Sequence, residues 1–390
     1  MRAIFWFSIL LTSCDILPQT SVLCAEDSRC NPYIDQPFVL GKPNNSATTA
    51  STTGQPVSSS FFKSPISVAR AGNRLIVLED MAHRALIYPM LPTSPHDRPN
   101  VVLGQSAFDK DANPPGDNAA SLNFPYSVSS DGTVLAIADT NTNRILIWNS
   151  IPTQNQQPAD LVLGQINLNR GAEVVDSLLN HPESVFVSSG RIYVADTRHH
   201  RVLIWKKLPT ENNQPPDIVL GQVDLQGVLA NRGGAVSKET LNEPSAITAD
   251  ASSIYVSDTK SNRVLVWKTL DPPNGAAADL VIGQPTGEAS ASSAASASSL
   301  SSPIGLSIDR NRFFVADSSH NRVLMYNLPI VADGPMAIAV FGQPNLTSGA
   351  NPVLVTATSL DNPTSVLATE VGLYIADQKN GRLVALPRPQ

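Results

Sequence analysis

The sequence predicts an all-β fold of six radially arranged, four-stranded sheets, and three observations predict it. One stretch recurs: the skeleton of LNHPESVFVSSGRIYVADTRHHRVLIWKKLPTENNQPPDIVLGQ, residues 179–222, returns in five complete copies anchored at Pro65, Pro125, Pro182, Pro244 and Pro303, with a truncated sixth at Pro363. The register is strict. In all six copies an acidic residue follows the proline by 14 positions and an arginine follows that by five: Glu79 and Arg84, Asp139 and Arg144, Asp196 and Arg201, Asp258 and Arg263, Asp317 and Arg322, Asp377 and Arg382. Length varies only between a glycine (Gly41, Gly104, Gly164, Gly221, Gly283, Gly342) and the next proline, where the separation runs from 18 to 24 residues. An ungapped unit thus alternates with a tolerant connector, the mark of a repeat array.

Each unit reads as four short strands, in the third copy residues 184–187, 191–195, 201–205 and 217–221. All are rich in Val, Ile, Leu and aromatics and bounded by Gly, Pro, Asn and Asp. Val202 and Ile204 point one way and Leu203 and Trp205 the other, so both faces of the sheet are apolar and each needs a neighbour. Two residues after each proline stands a small side chain, Ser67, Ser127, Ser184, Ala246, Gly305 or Ser365, which lets the innermost strands crowd together. A six-bladed β-propeller satisfies these constraints. The sixth copy stops after its third strand, while residues 37–42, PFVLGK, match a fourth strand with nothing before it. The N-terminal strand is therefore expected to complete the C-terminal blade, closing the ring and removing its open edges.

The turn between second and third strands reads ADTRHHR, SDTKSNR, ADSSHNR and ADTNTNR, which resembles the core of the NHL repeat. The resemblance covers residues 37–390, with departures at Glu79-Asp80 and Asp377-Gln378 and with a repeat near 60 residues. It implies a propeller in which the recurrent acid and arginine form an ion pair or turn-capping network. His83 and His200 occupy the motif's own histidine position, and His199 and His320 the one before it. Gln105, Gln165, Gln222, Gln284 and Gln343 end the fourth strands, where an amide can satisfy loop backbone groups.

Ahead of the ring, residues 1–13 carry one basic residue, Arg2, and an apolar run too short to span a bilayer. LTSC at residues 11–14 resembles a bacterial lipoprotein signal, which implies lipidation of Cys14 and a membrane-anchored location in the bacterial cell envelope. The alternative is a secreted protein cut after Ala25. Residues 14–36 read as a tether, in which an oxidising compartment favours a Cys24–Cys30 disulfide. Two Ser-rich connectors, 44–60 and 288–302, are low in complexity and are expected to be mobile.

A net charge of −6 and a charged content of 15% describe a mild surface without a basic run, which excludes a nucleic-acid partner. Unrepeated residues beside the anchor prolines are the candidates for recognition: Phe124 and Tyr126, His181 and Glu183, Glu243 and Ser245, Asn362 and Thr364. His181 and Glu183, two apart, are expected on one strand face, with Glu243 at the equivalent place in the next blade. Together with Tyr126 they would ring the mouth of the axial channel. A histidine and two carboxylates could hold a divalent cation, although solvated rim residues are the preferred reading and no cofactor is expected. Three function classes follow: an envelope scaffold binding a protein or small ligand as a monomer; a hydrolase or lyase with a central metal, as in the lactonases and the peptidyl-hydroxyglycine lyase among six-bladed relatives; or a structural envelope protein. No nucleophile elbow or cofactor motif supports the second.

Overall fold

Each repeat folds into one antiparallel sheet whose strands run in chain order from the ring axis outward. The computed structural model describes residues 33–42, 57–113, 116–169 and 178–389. In the third blade the strands are Pro182–Ser188, Arg191–Asp196, Arg201–Trp205 and Ile218–Leu220. The first two extend the expected strands by one or two residues at their ends, the third coincides with the expected 201–205, and the fourth is one residue shorter at each end than the expected 217–221. Five blades follow this pattern, and the sixth has the order Phe38–Leu40, Arg382–Pro387, Gly372–Asp377, Pro363–Ala368. Phe38 pairs with Ala385, Val39 with Val384 and Leu40 with Leu383, so the N-terminal strand closes the ring as its sequence predicts. Residues 33–36, which the sequence assigns to the tether, already pack on this blade: Ile34 is buried, and its N–H reaches the carbonyl of Val371 at 3.2 Å.

The core is divided as the two-faced strands require. It forms six clusters, each lying between two neighbouring blades. Leu203 and Trp205 enter the cluster shared with the second blade, whereas Val202 and Ile204 enter the one shared with the fourth. Crowding at the axis is also real: a Cβ on Gly305 would lie 2.7 Å from the Cα of Ser365. The serines at this position do more than make room. Ser67 Oγ accepts the N–H of Val128, Ser127 Oγ that of Val185 and Ser365 Oγ that of Val68, at 3.2 to 3.3 Å. These hydroxyls link innermost strands that share no backbone ladder. Among the described residues no helix is long and apolar enough to cross a membrane. Cys14, Cys24 and Cys30 lie outside the described residues.

Candidate functional site

The recurrent acid and arginine build the face on which a site can stand. In each blade the arginine Nε donates to the carboxylate five residues earlier at 2.6 to 2.8 Å, and both side chains are almost wholly buried. The second carboxylate oxygen accepts a backbone N–H two residues before the anchor proline, for example that of Asn123, Asn180 or Asn242, at 2.6 Å. The remaining guanidinium nitrogens grip the connectors. Arg144 donates to the carbonyl of Leu168 on one side and to those of Asn118 and Ser121 on the other, at 3.0 to 3.2 Å. Burial raises the carboxyl pKa of Glu79, Asp139, Asp258 and Asp377, and the paired arginine pulls it back. These groups are therefore structural, as the sixfold repetition implies.

The rest of the motif ties blade to blade. The threonine or serine after the acid donates to the carbonyl of the next anchor proline: Thr140 to Pro182, Thr197 to Pro244, Thr259 to Pro303 and Ser318 to Pro363, at 2.6 to 2.8 Å. The left-handed residue of the turn (His83, Asn143, His200, Asn262 or Asn321) accepts the N–H of the residue before that proline, at 2.7 to 3.2 Å. In His83 and His200 the acceptor is Nδ1, which requires a neutral ring, and burial lowers the pKa of both. The glutamines behave as expected: Gln105, Gln222, Gln284 and Gln343 donate into the connectors at 2.8 to 2.9 Å, whereas Gln165 donates to the carbonyl of Thr142.

One connector departs from expectation. The stretch ASASSAASASSLSS is held rather than loose, because Arg322 donates to the carbonyls of Ser296 and Ser299 at 2.9 and 3.0 Å. His320 Nε2 also meets the carbonyl of Ser293, and Asn262 donates to that of Ser290, both at 3.0 Å. Backbone carbonyls supply these contacts, so low complexity does not weaken them.

Around the axial mouth the residues before five anchor prolines share one backbone conformation. Phe124, His181, Glu243, Ser302 and Asn362 all have φ between 47° and 57°, a left-handed geometry that costs a side-chain-bearing residue about 1 kcal/mol or more. A bulge follows the proline in every blade but the second. Hence His181 does not share a strand face with Glu183, as simple alternation suggests. It stands outside the strand, and the turn brings its Nδ1 within 3.3 Å of Glu183 Oε1. That approach is not aligned as a hydrogen bond, and Nδ1 has no hydrogen-bond partner among the described residues.

Glu243 does not join this pair. It is half-buried, and its Oε2 lies 3.7 Å from Lys260 Nζ of its own blade. Tyr126 is partly buried against the first two blades, where desolvation and the nearby Glu183 and Asp80 raise its pKa. Ser245 meets the hydroxyl of Thr259, and Thr364 donates to the carbonyl of Ile66 at 2.8 Å. Among the described residues no group of three or more His, Cys, Asp or Glu side chains could hold a metal ion. The channel itself has a volume of about 270 Å³, walled by the innermost strands of all six blades and rich in serine hydroxyls. Many of these hydroxyls are already engaged between strands, including Ser129 with the N–H of Val187 and Ser307 with that of Ala368, both at 3.0 Å.

Comparison with known proteins agrees with this geometry at one blade. The model of the NHL repeat family matches residues 179–205. No curated protein matches the sequence. Among solved structures, an auxiliary nutrient binding protein from Bacteroides thetaiotaomicron aligns with a TM-score of 0.49 and 12% identity, over 83% of this chain and 69% of that one. A protein of unknown function from the same organism gives 0.48 and 14%, over 90% and 75%. A streptogramin B lyase gives 0.44 and 10%, over 86% and 96%. At such values no role transfers to this chain.

Proposed function

We propose that this six-bladed β-propeller, which carries an NHL repeat, is a monomeric binding scaffold held at the bacterial cell envelope, and that its connector face takes up an envelope protein or small ligand. One observation carries the reading. Phe124, His181, Glu243, Ser302 and Asn362 share a backbone conformation and a hydrogen bond to the preceding blade, yet no two carry the same side chain. The frame fixes the positions and leaves the side chains free to specify, which is how recognition surfaces are built on rigid scaffolds.

Changing His181, Glu183 and Glu243 together to alanine tests the rim. The variant is expected to melt within about 2 °C of the parent, because surface changes away from structural networks cost little. It should lose partners that the parent captures from envelope extracts. A folded variant that captures every one of them contradicts the proposal and points to the opposite face. Anchoring rests on the resemblance at residues 11–14. Cys14→Ser should move the protein from the membrane to the soluble fraction; a soluble parent whose mature N-terminus is Glu26 would contradict it.

A further inference from the structure

Outer strands of a propeller expose one edge, and four blades of this ring hide it in the same way. The middle residues Val102, Val162, Val219 and Val281 each donate their N–H to a side-chain oxygen of the next blade: Asn155, Asn212, Asn274 and Asp333 Oδ1, all at 3.0 Å. Their carbonyls accept the N–H of the residue that follows that Asx, Gln156, Asn213, Gly275 or Gly334, at 2.8 to 2.9 Å. Those four residues all have positive φ, from 53° to 66°. The cover is thus an Asx followed by a left-handed residue, carried on the loop between third and fourth strands. It saturates the one unpaired N–H and C=O at the centre of the edge.

Among the described residues the fifth blade lacks this cover. The loop that would supply it belongs to the sixth blade, whose fourth strand is Phe38–Leu40 and is therefore not joined to its third strand by any such loop. Val340 faces Leu324 across the ladder, as Val219 faces Leu203, so its N–H and C=O point outward. No partner meets them among the described residues. The strand Ala339–Phe341 is partly exposed along its whole length, whereas Val101–Leu103, Ile218–Leu220 and Leu280–Ile282 are buried. Beside it lies a groove of about 520 Å³ bounded by Phe341, Leu386, Pro387, Pro37 and Thr356. Ile338, next to the strand, is 46% exposed, where the second, third and fourth blades have an aspartate.

We propose that this groove is a docking site for a loop of a partner protein, one that presents an Asn-Gly or Asp-Gly turn and repeats at Val340 the contacts made at Val102, Val162, Val219 and Val281. This is strand-edge recognition through main-chain pairing, with a side-chain carbonyl supplying the acceptor. A second copy of this chain is poorly suited: its Asx turns at residues 155, 212, 274 and 333 are each engaged with a neighbouring blade, and its first-blade loop has Pro95 and His96 there instead. The groove borders the fifth connector at Thr356 but includes none of the rim residues Tyr126, His181, Glu183 and Glu243, so either proposal can fail alone.

The probe is a synthetic peptide of residues 208–217 with Asn213→Gly, titrated against the full chain while amide exchange is followed at Val340. Saturable binding with Kd of about 1 mM or tighter is expected, with slowed exchange at Val340. A peptide that also carries Asn212→Ala should bind at least tenfold more weakly. Val340→Pro removes the outward N–H at an edge position that tolerates proline, and should weaken the probe at least tenfold; the peptide variant supplies the same test if that protein does not fold. The rim triple variant should bind the probe like the parent. Equal binding by the Asn212→Ala peptide would overturn the proposal. So would a Val340 amide already protected in the monomeric full chain, which would mean the chain fills the groove itself, or a concentration-dependent dimer abolished by Val340→Pro.

Discussion

The third and sixth blades are built from the same repeat, yet they solve closure differently. In the third, four strands are joined by short loops, and the last loop also seals the edge of the second blade through Asn212 and Asn213. In the sixth, the outer strand arrives from the other end of the sequence and is held by its pairing with Arg382–Pro387 and by burial of Phe38, Val39 and Leu40. Hydrogen bonds within a blade can be restored by a strand from anywhere in the chain. Cover for a neighbouring blade's edge needs the connecting loop, and at the fifth blade that loop is missing. Closing the ring in this way leaves the fifth blade's outer edge uncovered among the described residues.

The largest way to break the comparison is to remove residues 37–42. Three nearly fully buried side chains leave with them, at about 1.5–3 kcal/mol each, and the sixth blade gains a bare edge. Calorimetry should show the whole ring melting at least 10 °C lower, with association on a sizing column. A deletion that melts like the parent as a monomer would contradict strand closure.

Next in size is Arg201→Ala, which leaves the buried Asp196 carboxylate with only the N–H of Asn180 and Nδ1 of His199 and frees the carbonyls of Leu178 and Leu225. A loss of about 3–5 kcal/mol is expected in denaturant unfolding. If the loss is below about 1 kcal/mol, the paired network does not hold the connectors. Smaller again is removal of residues 289–299. Loop-length entropy alone predicts near neutrality, but Arg322, His320 and Gln284 bond to this stretch. At about 1 kcal/mol per bond, a loss of about 2–4 kcal/mol is expected.

The smallest effect concerns pH. His83 and His200 accept an N–H through Nδ1, and burial lowers their pKa from 6.5. The unfolded chain then binds more protons, so their contribution is complete above pH 6.5 and is lost as pH falls toward the lower folded value. Replacing both by asparagine, as found at Asn143, Asn262 and Asn321, keeps the acceptor. The double variant should match the parent at pH 8 and exceed it by about 0.5–1.5 kcal/mol at pH 5. Parallel pH profiles would show that the histidines are not acceptors there.

Most of the ring was legible in the sequence because register survives copying: a proline, an acid and an arginine at fixed spacing define four strands, and the two-faced third strand demands a neighbour on each side. The strand at residues 38–40 was legible for the same reason, as a fourth strand without a third. The rim was not. Its geometry depends on a left-handed residue before proline and on a bulge after it, neither of which alternation reveals, so Glu243 was expected beside His181 and instead lies near Lys260. The serine stitches carried a faint signal, since serine stands where any small residue would do for packing. Order in residues 288–302 had none, because arginine and histidine recognise its carbonyls and not its side chains.

Amide exchange at the five outer-strand centres of the first five blades tests the central claim most directly. Val102, Val162, Val219 and Val281 should exchange slowly in the native protein, and Val340 at least a hundredfold faster, as an exposed strand-edge amide opens with little free energy. Equal protection at all five would mean that the fifth blade is covered after all, and that closure by residues 38–40 leaves no edge open.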